Sequence, residues 1–167
     1  MEKYQTFTPR LFALIIDALI FFPLYFLDNW IKYEVNSVPA ILALWLLVST
    51  AMHPVYSILM HGLYGQTLGK MAMKVKVVDA FEKPITFHHA LLRELPYLSF
   101  TFSSIFFTMS QSFNSVEAPG FLPSAGDIIL SLMIVWSIAD IAVLFISDKR
   151  RSLHDFIAGT VVIRTNV

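Results

Sequence analysis

Apolar residues run almost without interruption through three stretches of the chain, Leu11 to Leu27, Pro39 to Leu59 and Ile128 to Ile146, and the middle one carries no formal charge. A bilayer hydrocarbon core is about 30 Å thick and takes about 20 helical residues to cross, so each stretch predicts a transmembrane helix. A fourth candidate, Leu95 to Met109, is apolar and aromatic but short, and it reaches spanning length only if Ala90 to Glu94 lead into it. The pattern changes between the second and third apolar stretches. Met73 to Val77 alternates apolar and basic positions with the period of a strand, and the turn-rich run Asp79 to Pro84 follows. Thr86 then stands as the cap of a helix in which Phe87, Leu91, Leu92 and Leu95 recur at helical spacing, with Pro96 close after as a break or kink, which reads as a helix lying along the membrane interface. Near the C-terminus, Ser152 to Ala158 reads as a short helix stopped by Gly159, and Thr160 to Arg164 as a strand. That strand is expected to pair with Lys74 to Val78, because a lone strand would leave its backbone unpaired.

These elements predict an all-α membrane protein: four transmembrane helices with a short interfacial helix and a small cytosolic β element, in a single domain spanning 1–167. The expected spans are residues 11–27, 39–61, 91–110 and 127–146, with cytosolic segments at 64–90 and 147–167. No internal repeat is evident. Lys3 and Arg10 precede the first apolar stretch as they would in a signal peptide, but Asp28 to Lys32 offers no small-residue cleavage site, so a retained helix is expected.

Composition agrees, with 56% hydrophobic and 14% charged residues and a mean hydropathy of +0.66. The net charge of zero gives no basic surface for nucleic acid, and the absence of cysteine excludes disulfides and thiol chemistry. With four spans and a cytosolic N-terminus, every one of the twelve Lys and Arg residues except Lys32 falls on the inner side. That is the positive-inside asymmetry, and it predicts cytosolic N and C termini. Three spans would put Lys149, Arg150 and Arg151 outside, which is the reason for counting the fourth. The outer segments 28–38 and 110–126 carry Glu34, Glu117, Pro119, Gly120 and Pro123, which is loop chemistry, and Asp127 is placed to cap the last helix.

Helical rise places Asp17 about 10 Å, and Asp140 and His53 each about 9 Å, inside the cytosolic boundary. Carboxylates at that depth cost roughly 2.5–3.5 kcal/mol each, so they should face inward and find partners. Asp17, Asp140 and His53 are therefore a candidate proton or cation site. An equally weighted reading makes them a polar clasp that fixes helix packing. Arg10 should turn outward, away from Asp17. A second constellation lies at the inner interface: Arg10, Arg93, Glu94, His154 and Asp155, with Arg93 expected in a salt bridge to Glu94 or Asp155. Lys70, Arg150 and Arg151 are expected to meet anionic lipid headgroups.

Gly65 to Lys70, GQTLGK, is not a nucleotide-binding P-loop: Tyr64 stands where its first Gly should be and Met71 where the metal-binding hydroxyl should be. The glycines are expected to turn the chain at the membrane surface. His88 and His89 are neighbours on different sides of a helix, and His53 and His61 have no carboxylate at ligand spacing, so no metal or other cofactor is expected. Packing is the expected role of His61, His88 and His89. No catalytic constellation is recognisable, so an enzyme is not expected.

Arg10 with Asp17 seven residues on, Gly65 to Lys70, Val77-Val78-Asp79, Ala90 to Glu94 and Arg151 to Thr160 together resemble the RDD family of bacterial membrane proteins over nearly the whole chain. The family is named for one Arg and two Asp. Arg10 and Asp17 match the first two, and Asp155, ahead of Asp79, is the choice for the third. The resemblance implies a multi-pass protein of the bacterial inner membrane. For activity it implies little: most members have no assigned biochemistry, one reported activity is cation/proton antiport, and a eukaryotic relative is an accessory of a membrane protein-degradation complex. Two functions are thus expected as alternatives. One is proton-coupled cation or small-solute transport through Asp17, Asp140 and His53. The other is a non-catalytic scaffold that binds a protein or anionic lipid at its cytosolic face. Either is compatible with assembly as a homo-oligomer or with a membrane-protein partner.

Overall fold

The computed structural model describes residues 2–34, 39–113 and 125–165. A single 3₁₀ turn, Glu2–Tyr4, leads into α1 (Phe7–Glu34), α2 (Pro39–Tyr64), α3 (Leu68–Ala72), β1 (Val75–Asp79), α4 (Phe87–Phe113), α5 (Ala125–Ile146), α6 (Leu153–Ile157) and β2 (Thr160–Arg164). Among the described residues, α1, α2 and α5 contain segments long and apolar enough to cross a membrane. Helix α4, at 27 residues, is about 40 Å long. It takes in both the expected interfacial helix and the fourth apolar stretch, so of the break or kink expected at Pro96 the break is absent. Proline inside a helix frees one carbonyl, and membrane helices tolerate it because neighbouring groups re-satisfy the backbone. Pro23 and Pro54 lie inside α1 and α2 in the same way. The outer-loop residues Glu117, Pro119, Gly120 and Pro123 lie outside the described residues, while Asp127 sits in the first turn of α5.

The long helices are packed inside out. Large apolar side chains such as Leu14, Leu19, Val135 and Ile138 are more than 60% exposed, whereas Asp17, His61, Arg93, Glu94 and Asp140 are buried. Water would not tolerate that distribution, and a hydrocarbon solvent demands it, because there the costly group to expose is the polar one.

The apolar core in the usual sense lies in the sheet. Val75, Val77 and Val162 are fully buried with Ile85, and Met73 packs against them. Strands β1 and β2 pair antiparallel from Val75↔Arg164 to Asp79↔Thr160, in line with the pairing expected from their alternation. The turn after β1 is built on the Asp79 carboxylate, which accepts from the N–H groups of Phe81 and Lys83 at 2.8 and 2.7 Å. Lys3 at 2.5 Å ties the N-terminal turn to Glu82 of this same turn.

One backbone pattern occurs twice, although the residues that form it show no repeat in the sequence. Helix α3 with β1, and α6 with β2, are two copies of one unit. Each five-residue helix follows a hydroxyl residue, Thr67 or Ser152, in extended backbone. Each is followed by a residue with left-handed φ, Lys74 at 55° or Gly159 at 64°, and then at once by the strand. The pairing register joins equivalent residues, Val77 and Val162, at its centre, so an approximate twofold axis passes through the ladder.

The Val77 N–H donates to the Gly65 carbonyl at 2.8 Å and not to β2. Val77 and Val162 are therefore a narrow, non-hydrogen-bonded pair, with Cα atoms about 4.5 Å apart, within disulfide range. The natural chain has no cysteine. The double variant Val77→Cys/Val162→Cys is expected to form an internal disulfide on mild oxidation, seen as a faster-migrating, reductant-sensitive band. Moving the second cysteine to Ile163, on the opposite face of the strand, should abolish it.

Candidate functional site

The two intramembrane aspartates hold the two short helices. Asp17, on α1, accepts from the Gly69 N–H at 2.8 Å and the Tyr56 hydroxyl at 2.9 Å through Oδ1, and from the Thr67 hydroxyl at 2.6 Å through Oδ2. The Tyr56 oxygen in turn accepts from the Leu68 N–H at 2.9 Å, and Thr67 Oγ1 from the Lys70 N–H at 3.3 Å. Every first-turn amide of α3 thus has a partner, which a five-residue helix needs because most of its N–H groups lie in that turn. Gly69 is required here for approach and not, as expected, for a turn: a Cβ would fall on the Ala13 carbonyl and the Asp17 carboxyl. Gly65, with φ of 72°, is the residue that turns the chain out of α2.

Asp140, on α5, does the equivalent work for α6. It accepts from the His154 N–H at 3.0 Å and from His154 Nδ1 at 2.9 Å. Gly69 and His154 are equivalent positions of the two helix–strand units, so each unit presents the same amide to an aspartate on a long helix.

The expected meeting of Asp17, Asp140 and His53 is therefore corrected. The hydrogen bonds of Asp17 and Asp140 go to separate partners, and His53 is exposed on the outside of the bundle with its ring edge-on to Phe21 at 5.4 Å. Shared depth fixes a position along the helix axis but leaves its rotation about that axis open.

The inner-interface constellation does assemble. Asp155 is completely buried and lies between Arg10, whose Nη1 donates to Oδ2 at 2.7 Å, and Arg93, whose Nη1 donates to Oδ1. The carboxylate also accepts from the Ser152 N–H at 3.2 Å and hydroxyl at 3.0 Å and from the Thr160 hydroxyl at 3.2 Å. Arg93 extends the network, donating to Thr160 Oγ1 at 2.8 Å and to His154 Nε2 at 3.2 Å, so that the histidine joins Arg93 to Asp140. Burial pushes the Asp155 carboxyl up, but the guanidinium groups of Arg10 and Arg93 outweigh it and hold the group well below the usual carboxylate range. Between the two partners left open for Arg93, the structure selects Asp155.

Glu94 faces the other way and joins a chain that the sequence reading missed. It accepts from the Ser57 hydroxyl; the Ser57 carbonyl faces His61 Nδ1 at 2.8 Å; and His61 Nε2 meets Lys70 Nζ at 2.7 Å. A carbonyl can only accept, so Nδ1 carries the proton and Nε2 accepts from Lys70. Only the i, i+4 spacing of Ser57 and His61 on α2 hints at this chain in the sequence. Lys70 is therefore turned into the protein and not towards a headgroup. Arg151 is also engaged internally: it donates to the Thr160 carbonyl at 2.8 Å and the Asp155 carbonyl at 3.2 Å, and lies 4.1 Å over the Phe156 ring. His89 closes the N-terminus of α4, its Nδ1 accepting from the Thr86 N–H at 3.2 Å.

Arg10 and Asp17 stand two turns apart on one face of α1, and Asp155 lies at the centre of the ion network. The RDD family model matches residues 4–159. The chain belongs to the RDD family. No curated protein and no solved structure matches it. This RDD protein, with its apolar long helices, is a membrane protein. Among its described residues no group of three or more His, Cys, Asp or Glu is arranged to hold a metal ion.

Lys70 gives the site a pH signature. Burial, then the neighbouring charges of Arg93 and Arg10, bring its ammonium down from 10.5 to about 7, against the smaller opposing pull of Asp155 and Glu94. Above about pH 7 the folded chain binds one proton fewer than the unfolded chain, in which Lys70 stays charged to above pH 10. Stability should therefore rise with pH from about 7 towards 10, and below 7 the cost of burying the charge is constant. Thermal unfolding in detergent across this range should show the rise in the natural protein relative to Lys70→Met, which lacks the titrating amine.

Proposed function

We propose that this RDD protein is a non-catalytic scaffold of the bacterial inner membrane, with four spans, cytosolic N and C termini and a rigid cytosolic face that receives a partner. The observation that carries this reading is the use made of Asp17 and Asp140. A carboxylate that carries a proton or cation across a membrane must bind it and let it go. Each of these is instead engaged by backbone amides and side-chain donors of a short helix, the arrangement of a clasp. The scaffold reading accordingly stands ahead of the transport reading.

Strand pairing supports the four-span topology. β1 lies between α2 and α4, and β2 follows α5; two segments that pair directly must lie on one side of the membrane, which requires an even number of crossings between them. The same reasoning applies to Lys3 and Glu82, which face each other across α1 and α2. The charge distribution supports the cytosol as that common side. Reporter fusions at Asn29, Pro84 and Val167 should show an external, an internal and an internal position respectively. External activity at Val167 would remove the four-span reading.

Substitution of Asp17 separates the two functions. Asp17→Asn keeps an acceptor for Gly69 and Tyr56 and should leave the protein folded, whereas Asp17→Ala strands three donors and should cost about 2–4 kcal/mol. In the scaffold reading, vesicles reconstituted with the natural protein show no proton flux under an alkali-cation gradient. Flux that the natural protein supports and the folded Asp17→Asn variant abolishes would establish transport instead.

A further inference from the structure

A cavity of about 240 Å³ opens where the N-terminal segment meets the end of α5, lined by Gln5, Thr6, Phe7, Thr8, Phe145, Arg150 and Arg164. Two of its seven lining residues are arginines and none is acidic. Each guanidinium is steadied by one backbone carbonyl and keeps further donors: Arg150 Nη1 donates to Phe145 O at 3.1 Å, and Arg164 Nε to Gln5 O at 2.9 Å. Arg150 is also held at a φ of 49°, a conformation costly for any residue with a Cβ. Its carbonyl is fixed there by Arg10 Nη2 at 3.1 Å, so the ion network around Asp155 and the cavity share one joint.

The floor of the cavity is apolar and continues into the membrane. Phe7 packs on Phe145 with ring centroids 4.7 Å apart, and Leu11 and Ile15 follow Phe7 at four-residue spacing on α1, both exposed. Phe145 and Ile146 are exposed beside them, at the end of a predicted span, which is headgroup level in the proposed topology. A ligand here meets cations at one end and lipid-facing apolar side chains at the other. At this volume the cavity is smaller than the roughly 300–1,000 Å³ typical of sites that enclose a whole small molecule, and it suits a headgroup whose remainder lies outside.

We propose that this cavity binds the phosphate of an anionic phospholipid, with Arg150 and Arg164 on the headgroup and the acyl chains along Phe7, Leu11 and Phe145. The inference rests on the cytosolic placement of residues 147–167, which the Val167 fusion tests independently. A net-negative headgroup is favoured over a zwitterionic one because a choline would sit against two guanidinium groups.

The test is lipid retention by the full-length protein in detergent, measured by native mass spectrometry with phosphatidylglycerol and phosphatidylcholine. Arg150→Gly is the informative variant. Glycine accepts the left-handed backbone freely, and the bond from Arg10 is to the main chain, so the fold is kept while the guanidinium is lost. Arg150→Gly and Arg164→Gln are each expected to lower the preference for phosphatidylglycerol about fivefold, the usual effect of one basic residue at an anionic surface. Lys83→Gln, an equal loss of charge in the turn after β1, should leave it unchanged. The proposal is overturned if Arg150→Gly behaves like Lys83→Gln, if both lipids are retained equally, or if inorganic phosphate displaces phosphatidylglycerol, which would mark a site for a free anion.

Discussion

A carboxylate with no exposed surface, Asp155, sits between two guanidinium groups that come from different long helices, Arg10 of α1 and Arg93 of α4. It is the point at which the long helices are joined to the sheet, since its own helix α6 leads into β2 and its other donors come from Ser152 and Thr160. Buried ion pairs often contribute little net stability compared with apolar residues of the same shape. Removing one partner is another matter, costing about 3–5 kcal/mol because a buried charge is left unpaired. Asp155 therefore acts less as a source of stability than as a condition of register: α1, α4 and α6 can meet only in the arrangement that satisfies it.

The bilayer explains why such a joint lies where it does. Association of long helices in lipid gains nothing from hiding leucine, so the contacts that specify packing have to be polar or close steric ones. Asp17 with Gly69 supplies both at once, a carboxylate on an amide and a backbone approach that no side chain could fit. The sheet is the part built on the opposite principle. Its valines are buried by one another, as in a protein that folds in water.

How much of this the sequence disclosed depends on the kind of information each feature needs. Apolar length and strand alternation are local properties, and they were enough for the three most apolar helices and the β1–β2 pairing, whereas the choice of Asp155 over Glu94 as the partner of Arg93 is made by the structure. The proposed cluster of Asp17, Asp140 and His53 needed rotation about three helix axes, which depth arithmetic does not contain, and the structure separates these residues. Of the break or kink expected at Pro96 the break is absent, because the rule that proline ends a helix assumes water as the competing partner for the freed carbonyl. The repeated helix–strand unit escaped notice because its two copies share caps and backbone conformation more than residue identity: Thr67 answers Ser152, and Lys74 answers Gly159.

That repeat also shows where the two halves have diverged. Lys70 and Asp155 occupy the same position, three residues after the cap, in α3 and α6. At that position Asp155 reaches back to the Ser152 N–H, closing a capping box in which a carboxylate is favourable. An ammonium gains nothing there, so Lys70 turns away to His61, a neighbour that is not a counter-ion. One copy thus gathers Arg10 and Arg93 around a negative charge, and the other leaves a part-buried amine at the end of a hydrogen-bonded chain to Glu94. The twofold frame is shared, and the difference in charge at a single equivalent position makes the α6 side a joint closed by ion pairs and the α3 side one closed by neutral hydrogen bonds around Lys70.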